Sequence, residues 1–428
     1  MAPGKSFPDL LPTPGELEGA YRFFQNETIS PEKLLAPHVE ATLRRVHAED
    51  VVRIAHDTVA LSYGGDRDGL GSMGAGGCGY YAQVSLAIGG DELRVPLGVV
   101  AVTSKAYPTQ EEKALWPRDK NGRAKAFWSG VEKWSTAPLQ LREQLKGTRA
   151  IHVMDREADN FELFRTLKRA KVRFVIRGAA ERRAAPEGMH VGEHLDQAEF
   201  VLKRRVRLEG RPKPKQGWKL REERDALLSV RATTVKIQGN GETYKEHVQL
   251  NAVEVVELRT PAGEEKVSWI LITNEPIGTP EEIAAVVDHY RARWRIEEYF
   301  KALKTGCGIE KRQLTTFGAL RRALALFIPV AWQLLALRTA AQDEEPQPAT
   351  KVLSPVQIVI ARALVAERRH VLGDSPTARE VLLAIAALGG HLKRNGEPGW
   401  ITLGRGFDKL KAAEDVWRVA RADLERTM

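Results

Sequence analysis

At 428 residues the chain is long enough for two or three domains with real cores, and a formal charge of +9 with an isoelectric point near 9.4 favours a polyanionic partner. Two cysteines, Cys78 and Cys307, exclude a disulfide framework and a structural zinc site and fit a reducing cytoplasm. Met1 to Pro14 lacks the positive and then apolar pattern of a signal peptide, and the longest apolar run, Ala323 to Leu337, contains Pro329 and Gln333 and falls short of the roughly 20 residues that span a bilayer, so no membrane partner is expected.

The chain opens on helical sequence. Gly15 to Phe24 is followed by Ser30-Pro31-Glu32, an N-cap with proline at the first helical position. Over residues 50–105 the period changes. Val51 to Tyr63 is a β-rich run with His56-Asp57-Thr58 in its middle, and the glycine-rich loop Gly64 to Gly79 joins it to a strand over Tyr80 to Leu86. A third strand is expected from Leu93 to Val102, completing a meander, and a helical region around Ala126 to Leu145 should break near Pro138. Ala150 to Met154 is a short apolar run of buried-strand type closed by Asp155. Asn160 to Ala170 then reads as a helix and Val172 to Ile176 as a returning strand. This βαβ unit sets Asp155 at the carboxyl end of its first strand, where open α/β sheets bind ligands. Taken alone, Asp57 reads as structural, and Asp155 stays open between structural and catalytic.

Residues 178–268 carry β-type sequence at Val206 to Leu208, Leu227 to Ile237 and Val248 to Leu258. Lys203 to Arg224 holds ten Lys or Arg against three Glu, with Pro212, Pro214 and Trp218 among them; a solvated hairpin and a loop tracking a DNA backbone both fit. His190-Val191-Gly192-Glu193-His194 matches the H-x-x-E-H pattern of inverted zinc proteases. That chemistry needs both histidines on one face of a stable helix, and Gly192 with Pro186 and Gly188 nearby argues against one.

Trp269 to Thr273 is the next strand, and Pro280-Glu281-Glu282 opens a helix that should run unbroken to Lys304. At about 100° per residue, Tyr290, Arg293, Glu297, Lys301 and Lys304 fall within roughly 80° of arc, beside an apolar stripe of Ile296, Phe300 and Leu303. One carboxylate is thus bracketed by an arginine, two lysines and a tyrosine, all donors to phosphate oxygens; the plain alternative is an amphipathic helix with a solvated face. From Leu320 the chain reads as helices over Leu320 to Ala341, Pro355 to Arg368, Ala378 to Leu388 and Asp408 to Ala422, whose apolar residues core packing explains.

The spacing Y-x2-R-x3-E-x6-K on Tyr290, Arg293, Glu297 and Lys304, within the local run Arg293-Trp294-Arg295-Ile296-Glu297-Glu298, resembles the signature of bacterial cut-and-paste DDE transposases of insertion sequence four type. The resemblance implies an α/β fold: a ribonuclease H-like catalytic core over residues 49–177 and 269–318, with an inserted antiparallel β subdomain at 178–268. It also implies a partial N-terminal helical DNA-binding region at 1–48 and a C-terminal helical dimerisation region at 319–428. His56-Asp57-Thr58 and Asp155-Arg156-Glu157-Ala158-Asp159 resemble the first two catalytic blocks, so Asp57, Asp155 and Glu297 would be the triad and hold Mg²⁺, with Mn²⁺ as a substitute. Hard oxygen ligands suit that ion, and two such ions about 4 Å apart can activate an attacking oxygen and stabilise a leaving one. By the same resemblance Arg177 lies near the active site, Trp269 stacks on a flipped base, and Tyr290, Arg293, Lys301 and Lys304 grip phosphates.

The implied partners are double-stranded DNA, as transposon ends and target, and a second copy of the chain in a synaptic complex; the implied place is the cytoplasm, at the nucleoid. Leu17 to Asn26 looks like the end of the family's recognition domain, so the chain is expected to begin inside it, and Pro398 to Gly406 resembles a C-terminal block. A short recognition domain leaves one other class open: a non-catalytic DNA-binding or dimerising regulator of transposition.

Overall fold

The computed structural model describes residues 8, 11, 13–74, 77–90, 94–115, 128, 130–185, 188–208, 223–239, 246–262, 264, 266–366, 371–392, 394 and 396–427. Pro186, Leu93, Ala126 and the stretch with Pro212, Pro214 and Trp218 lie outside them. The fold is mixed α/β. In chain order come α1 (Pro14–Gln25), α2 (Pro31–Val46), β1 (Val51–Gly64), β2 (Ser72–Gly74), β3 (Gly77–Gly89), β4 (Val95–Ala106), α3 (Gln110–Ala114) and α4 (Gly130–Gln144). Thr13 and Glu16 form a capping box for α1, and Ser30 accepts the Lys33 amide for α2. Where a break was expected, α4 runs straight through Pro138, because Trp134, Ala137, Pro138 and Leu141 are buried together and outweigh the one amide bond that proline forfeits.

There follow β5 (Arg149–Met154), α5 (Phe161–Arg169), β6 (Arg173–Gly178), β7 (Arg183–Ala185), β8 (Met189–His190), α6 (Val191–Asp196), β9 (Phe200–Leu208), β10 (Arg224–Gln238), β11 (His247–Glu257) and β12 (Ser268–Thr273). Then come α7 (Pro280–Ala292), α8 (Trp294–Lys301), a π turn over Ala302–Gly306, α9 (Phe317–Ala341), α10 (Pro355–Ala366), α11 (Ala378–Leu388) and α12 (Trp400–Thr427). The single helix expected to Lys304 is therefore two. Arg293 N–H bonds back to Tyr290 O at 3.0 Å, a tightened turn between α7 and α8, and the ladder then widens until Cys307 N–H reaches Ala302 O at 2.8 Å.

The described chain divides into two compact units, one covering 51–57 and 128–293, the other 1–50, 58–127 and 294–428. In the first, the start of β1 pairs in parallel with β5 and β5 with β6, then β6 pairs antiparallel with β12, and β12, β11 and β10 continue antiparallel. Both faces are covered. Met154, Phe174, Ile176 and Ile272 meet Trp134, Phe161, Phe164 and Leu195 on one side. On the other, Ile151, Val153, Val175 and Leu271 meet Ile283, Val286 and Val287 of α7. The alternation of Ile151 and Val153 against His152 and Met154 is what puts one set on each face.

In the other unit β3 pairs with β4 and with β2, and a Cβ on Gly79 would stand 2.3 Å from Leu61 O of β1, so glycine is needed for that approach. Trp332 of α9 donates to Pro96 O at 2.7 Å. By length and composition α9 could cross a membrane, which the shorter run read from sequence could not, yet 61% of its most apolar window is buried. Its Arg322 is buried too and donates to Phe24 O and Ile29 O, so it is a core helix. The last helix begins at Trp400, eight residues before the expected start at Asp408. A Cβ on Gly404 would meet Gly306 O at 2.1 Å and one on Gly406 would meet Ile385 O at 1.7 Å, so the glycines of that block serve helix packing.

Candidate active site

In the unit of 51–57 and 128–293 the parallel pairing of β1 with β5 and of β5 with β6 stops at one level, while β1 itself continues to Gly64. The register matches Ala55 with Val153 and Met154 with Ile176. Carried on by one or two residues, it sets Asp57, in the middle of β1, abreast of Asp155 and Arg177 at the ends of β5 and β6, just past the last paired residues of the parallel ladder and on strands about 4.8 Å apart. Alternation turns all three to the face of Val153 and Val175, which is the face α7 covers.

Asp155 closes β5 and caps the turn Arg156–Ala158, its Oδ1 accepting Glu157 N–H at 2.9 Å. Burial pushes its carboxyl above the usual range, and the Glu157 carboxylate adds to this; the Glu157 amide, Arg293 and Lys133 pull the other way. Lys133 of α4 sits on Glu157 at 2.7 Å. Asp57 Oδ2 accepts from Arg293 Nη1 at 3.0 Å, both side chains largely enclosed. The Arg293 guanidinium lies 6.0 Å from the Tyr290 ring, and that ring stands 5.9 Å from Trp269 at 60°. Burial raises the Tyr290 phenol, against the pull of Arg293 and Arg177 beside it. So Asp57, Asp155, Arg177, Trp269, Tyr290 and Arg293 share one neighbourhood. Trp269 is half-buried against the valine core there.

On the opposite face, His56 Nε2 and His152 Nδ1 stand 2.7 Å apart with stacked rings. Burial lowers both imidazoles, His152 to about 3, and holds the pair neutral under the carboxylates.

Glu297, Lys301 and Lys304 belong to the other unit. Glu297 is half-buried in α8. Lys301 is exposed with its ammonium 5.9 Å from the Trp294 ring, and Lys304, in the π turn, pairs with Glu310 at 3.1 Å. Glu310 also accepts Ser62 N–H at 2.9 Å, so Lys304 has a structural partner that the sequence did not suggest. The turn at Arg293 and the π turn also break the single 100° projection that put five side chains on one stripe.

Among the described residues, no three His, Cys, Asp or Glu side chains gather closely enough to enclose a metal ion. The pair Asp57 and Asp155 nonetheless fits Mg²⁺ chemically, since that ion takes one or two carboxylates and completes its shell with water and substrate phosphates. A desolvated carboxyl such as Asp155 is also stabilised in its charged form by an arriving cation.

The H-x-x-E-H reading fails on geometry. His190 precedes α6 as its cap, 3.1 Å from Glu193 through Nδ1, and only His194 lies on that short helix. In the described part of the basic run, Arg204 pairs with Asp288 at 2.7 Å, Arg207 with Glu223 at 2.9 Å and Arg224 with the buried Glu257 at 2.9 Å. Sequence reasoning left Asp159 without a role, although it was in plain view in the Asp155 block. It lines a cleft of about 520 Å³ with Asn160, Phe161, Arg182 and Gln238, and Arg182 bonds its carbonyl at 2.6 Å. Nothing local signals Lys133.

Residues 135–328 match the family described as "Transposase DDE domain". The match takes in Asp155 and Glu297 with every residue between, and begins after Asp57. Among solved structures the chain is similar to the cryo-EM structure of a piggyBac transposase synaptic complex with hairpin DNA, at 11% identity and a TM-score of 0.34, over 77% of this chain and 57% of that one. The chain thus spans little more than half the length of that structure.

Proposed function

We propose, from the match of residues 135–328 to the transposase DDE domain family, that the chain is a DNA-cleaving and strand-transferring enzyme working with divalent metal ions, and a cut-and-paste transposase of insertion sequence four type. The observation that carries the reading is the placement of Asp57 and Asp155 abreast, just past the last paired residues of the parallel β1–β5 ladder. A parallel β1–β5–β6 core with antiparallel strands added beyond β6 supports a ribonuclease H-like centre over 49–177 and 269–318, with 178–268 as its insertion.

In this reading Asp57, Asp155 and Glu297 hold Mg²⁺, which when bound supplies an activated attacking oxygen and charge stabilisation on the leaving one. Arg177, Tyr290 and Arg293 orient the phosphate at the sheet edge, and Lys301 and Lys304 hold the flanking backbone. Trp269 closes the neighbourhood and gives an unpaired base an aromatic face. Water opens the strand at the transposon end; the freed 3′ hydroxyl attacks the opposite strand to form a hairpin, and after hairpin opening the excised end attacks target DNA. A second copy of the chain in the synaptic complex is supported by α12, whose Val416, Val419 and Leu424 are exposed.

The test is excision from a plasmid carrying the flanking inverted repeats, with Glu297→Ala as the control. Loss of cleavage with retained DNA binding is expected. Cleavage by the Glu297→Ala variant would refute the triad, and wild-type protein that binds and pairs but never cuts would make the chain a regulator.

A further inference from the structure

The position of Arg293 does more than complete a phosphate grip. It sits in the turn that ends α7, fixed by its own amide on Tyr290 O and by the Tyr290 ring beside its guanidinium. From there Nη1 reaches Asp57 Oδ2 at 3.0 Å, with the two side chains only 13% and 18% exposed. An ion pair this enclosed is weakly screened by water or salt. Arg177 stands in the same neighbourhood, beside Tyr290. Two carboxylates and two guanidiniums therefore share the carboxyl edge, and a divalent cation arriving there meets roughly neutral ground rather than two uncompensated negative charges. A guanidinium carries five donors and prefers a bidentate phosphate. A DNA phosphate is accordingly the one partner expected to draw Arg293 off Asp57.

We infer that Arg293 is a resident counter-ion for Asp57, which keeps the metal affinity of the DNA-free enzyme low and hands the carboxylate over when a DNA phosphate takes the guanidinium. The inference rests on the reading of Asp57 as a metal ligand. Metal and DNA then bind with positive coupling, and by linkage each raises the affinity for the other by the same factor. The consequence for the enzyme is that the cutting machinery loads only on substrate.

The experiment is titration of the full chain with Mn²⁺, followed by the loss of the free-ion paramagnetic resonance signal, with no turnover involved. Arg293→Gln should bind Mn²⁺ at least tenfold more tightly than wild type in the absence of DNA, and Arg293→Lys, which keeps the charge but not the fork, should fall between them. Adding a short duplex should tighten Mn²⁺ binding to wild type and change Arg293→Gln little. Should Arg293→Gln match wild type within twofold while Asp57→Asn weakens binding, the counter-ion role is wrong and the site assignment stands. The counter-ion role fails equally if the duplex tightens wild type and variant to the same degree, or tightens neither. If Asp57→Asn alters Mn²⁺ binding in no background, with or without duplex, Asp57 is not a ligand and both readings fall. Native-like thermal unfolding of both Arg293 variants keeps a folding defect from being mistaken for either result.

Discussion

The two ends of the same parallel strands carry charge for opposite purposes. At the amino ends, Arg149 opens β5 and Arg173 opens β6, and both converge on the buried Glu275, Arg173 through bonds of 2.7 and 2.6 Å and Arg149 at 3.2 Å. Arg53 of β1 donates to His289 of α7 at 3.2 Å. Each group there stabilises the form its neighbour prefers: Glu275 raises the Arg173 guanidinium above its usual range, and burial with Arg53 pushes the His289 imidazole down to about 4. At the carboxyl ends, burial instead raises Asp155, so its charged form costs the fold free energy. A carboxylate held by two guanidiniums belongs to the fold; a carboxylate kept at a cost is a candidate for function. Charge density alone would not have separated the two.

The largest effect should come from breaking the carboxyl end. Asp155→Ala should remove DNA cleavage and strand transfer altogether, with thermal stability in metal-free buffer close to wild type, because relief of a desolvated carboxyl offsets the lost cap bond to the Glu157 amide. A variant that still cleaves would mean that the chemistry does not sit at this end of the strands. The amino end should behave in the reverse way. Glu275→Ala leaves two guanidiniums facing each other and should cost about 2 to 3 kcal/mol, less than a fully buried pair, because Arg149 and Arg173 are 42% and 38% exposed. Urea unfolding measures this, and an unchanged midpoint would show that the cluster is ornamental. Cleavage by the Glu275→Ala protein that remains folded should be near wild type.

How far the sequence disclosed this division follows from the range of its signals. Periodicity is local, so β1, β5, α5, β6 and β12 were readable within a residue or two. Asp57 and Asp155 were singled out by the resemblance of their blocks, since the βαβ pattern marked only the end of β5 and left Asp57 reading as structural. What was hidden depends on contacts. Pro138 stays helical because of buried neighbours, and the helix through Glu297 turns at Arg293 although no proline or glycine marks the place. Short β7, β8 and α6 offer too few residues to show a period. Glu275 joins residues more than a hundred positions away, as in its bond to Arg173, and nothing local could announce that. The one usable hint was an arginine at the first position of two successive parallel strands.

The smallest effect is the most discriminating, because the two ends should respond to pH in opposite senses. His289 is neutral in the fold and its value is depressed, so its contribution is complete above its usual 6.5 and is lost as pH falls towards about 4, while the unfolded chain takes up the proton. Asp155 is raised, so its contribution is complete at acid pH and is lost as pH rises through the folded value. His289→Gln should therefore flatten the fall in stability between pH 6.5 and about 4. In metal-free buffer Asp155→Asn should raise the melting temperature near neutral pH, by about 1 °C, and leave it unchanged at strongly acid pH. Melting curves across the pH range read both, and Asp155→Asn proving less stable at neutral pH would mean that the carboxyl end is as self-satisfied as the amino end. Saturating Mg²⁺ should then reverse the order and make wild type the more stable protein, since the charged carboxylate attracts the ion more strongly than the neutral amide oxygen of Asn.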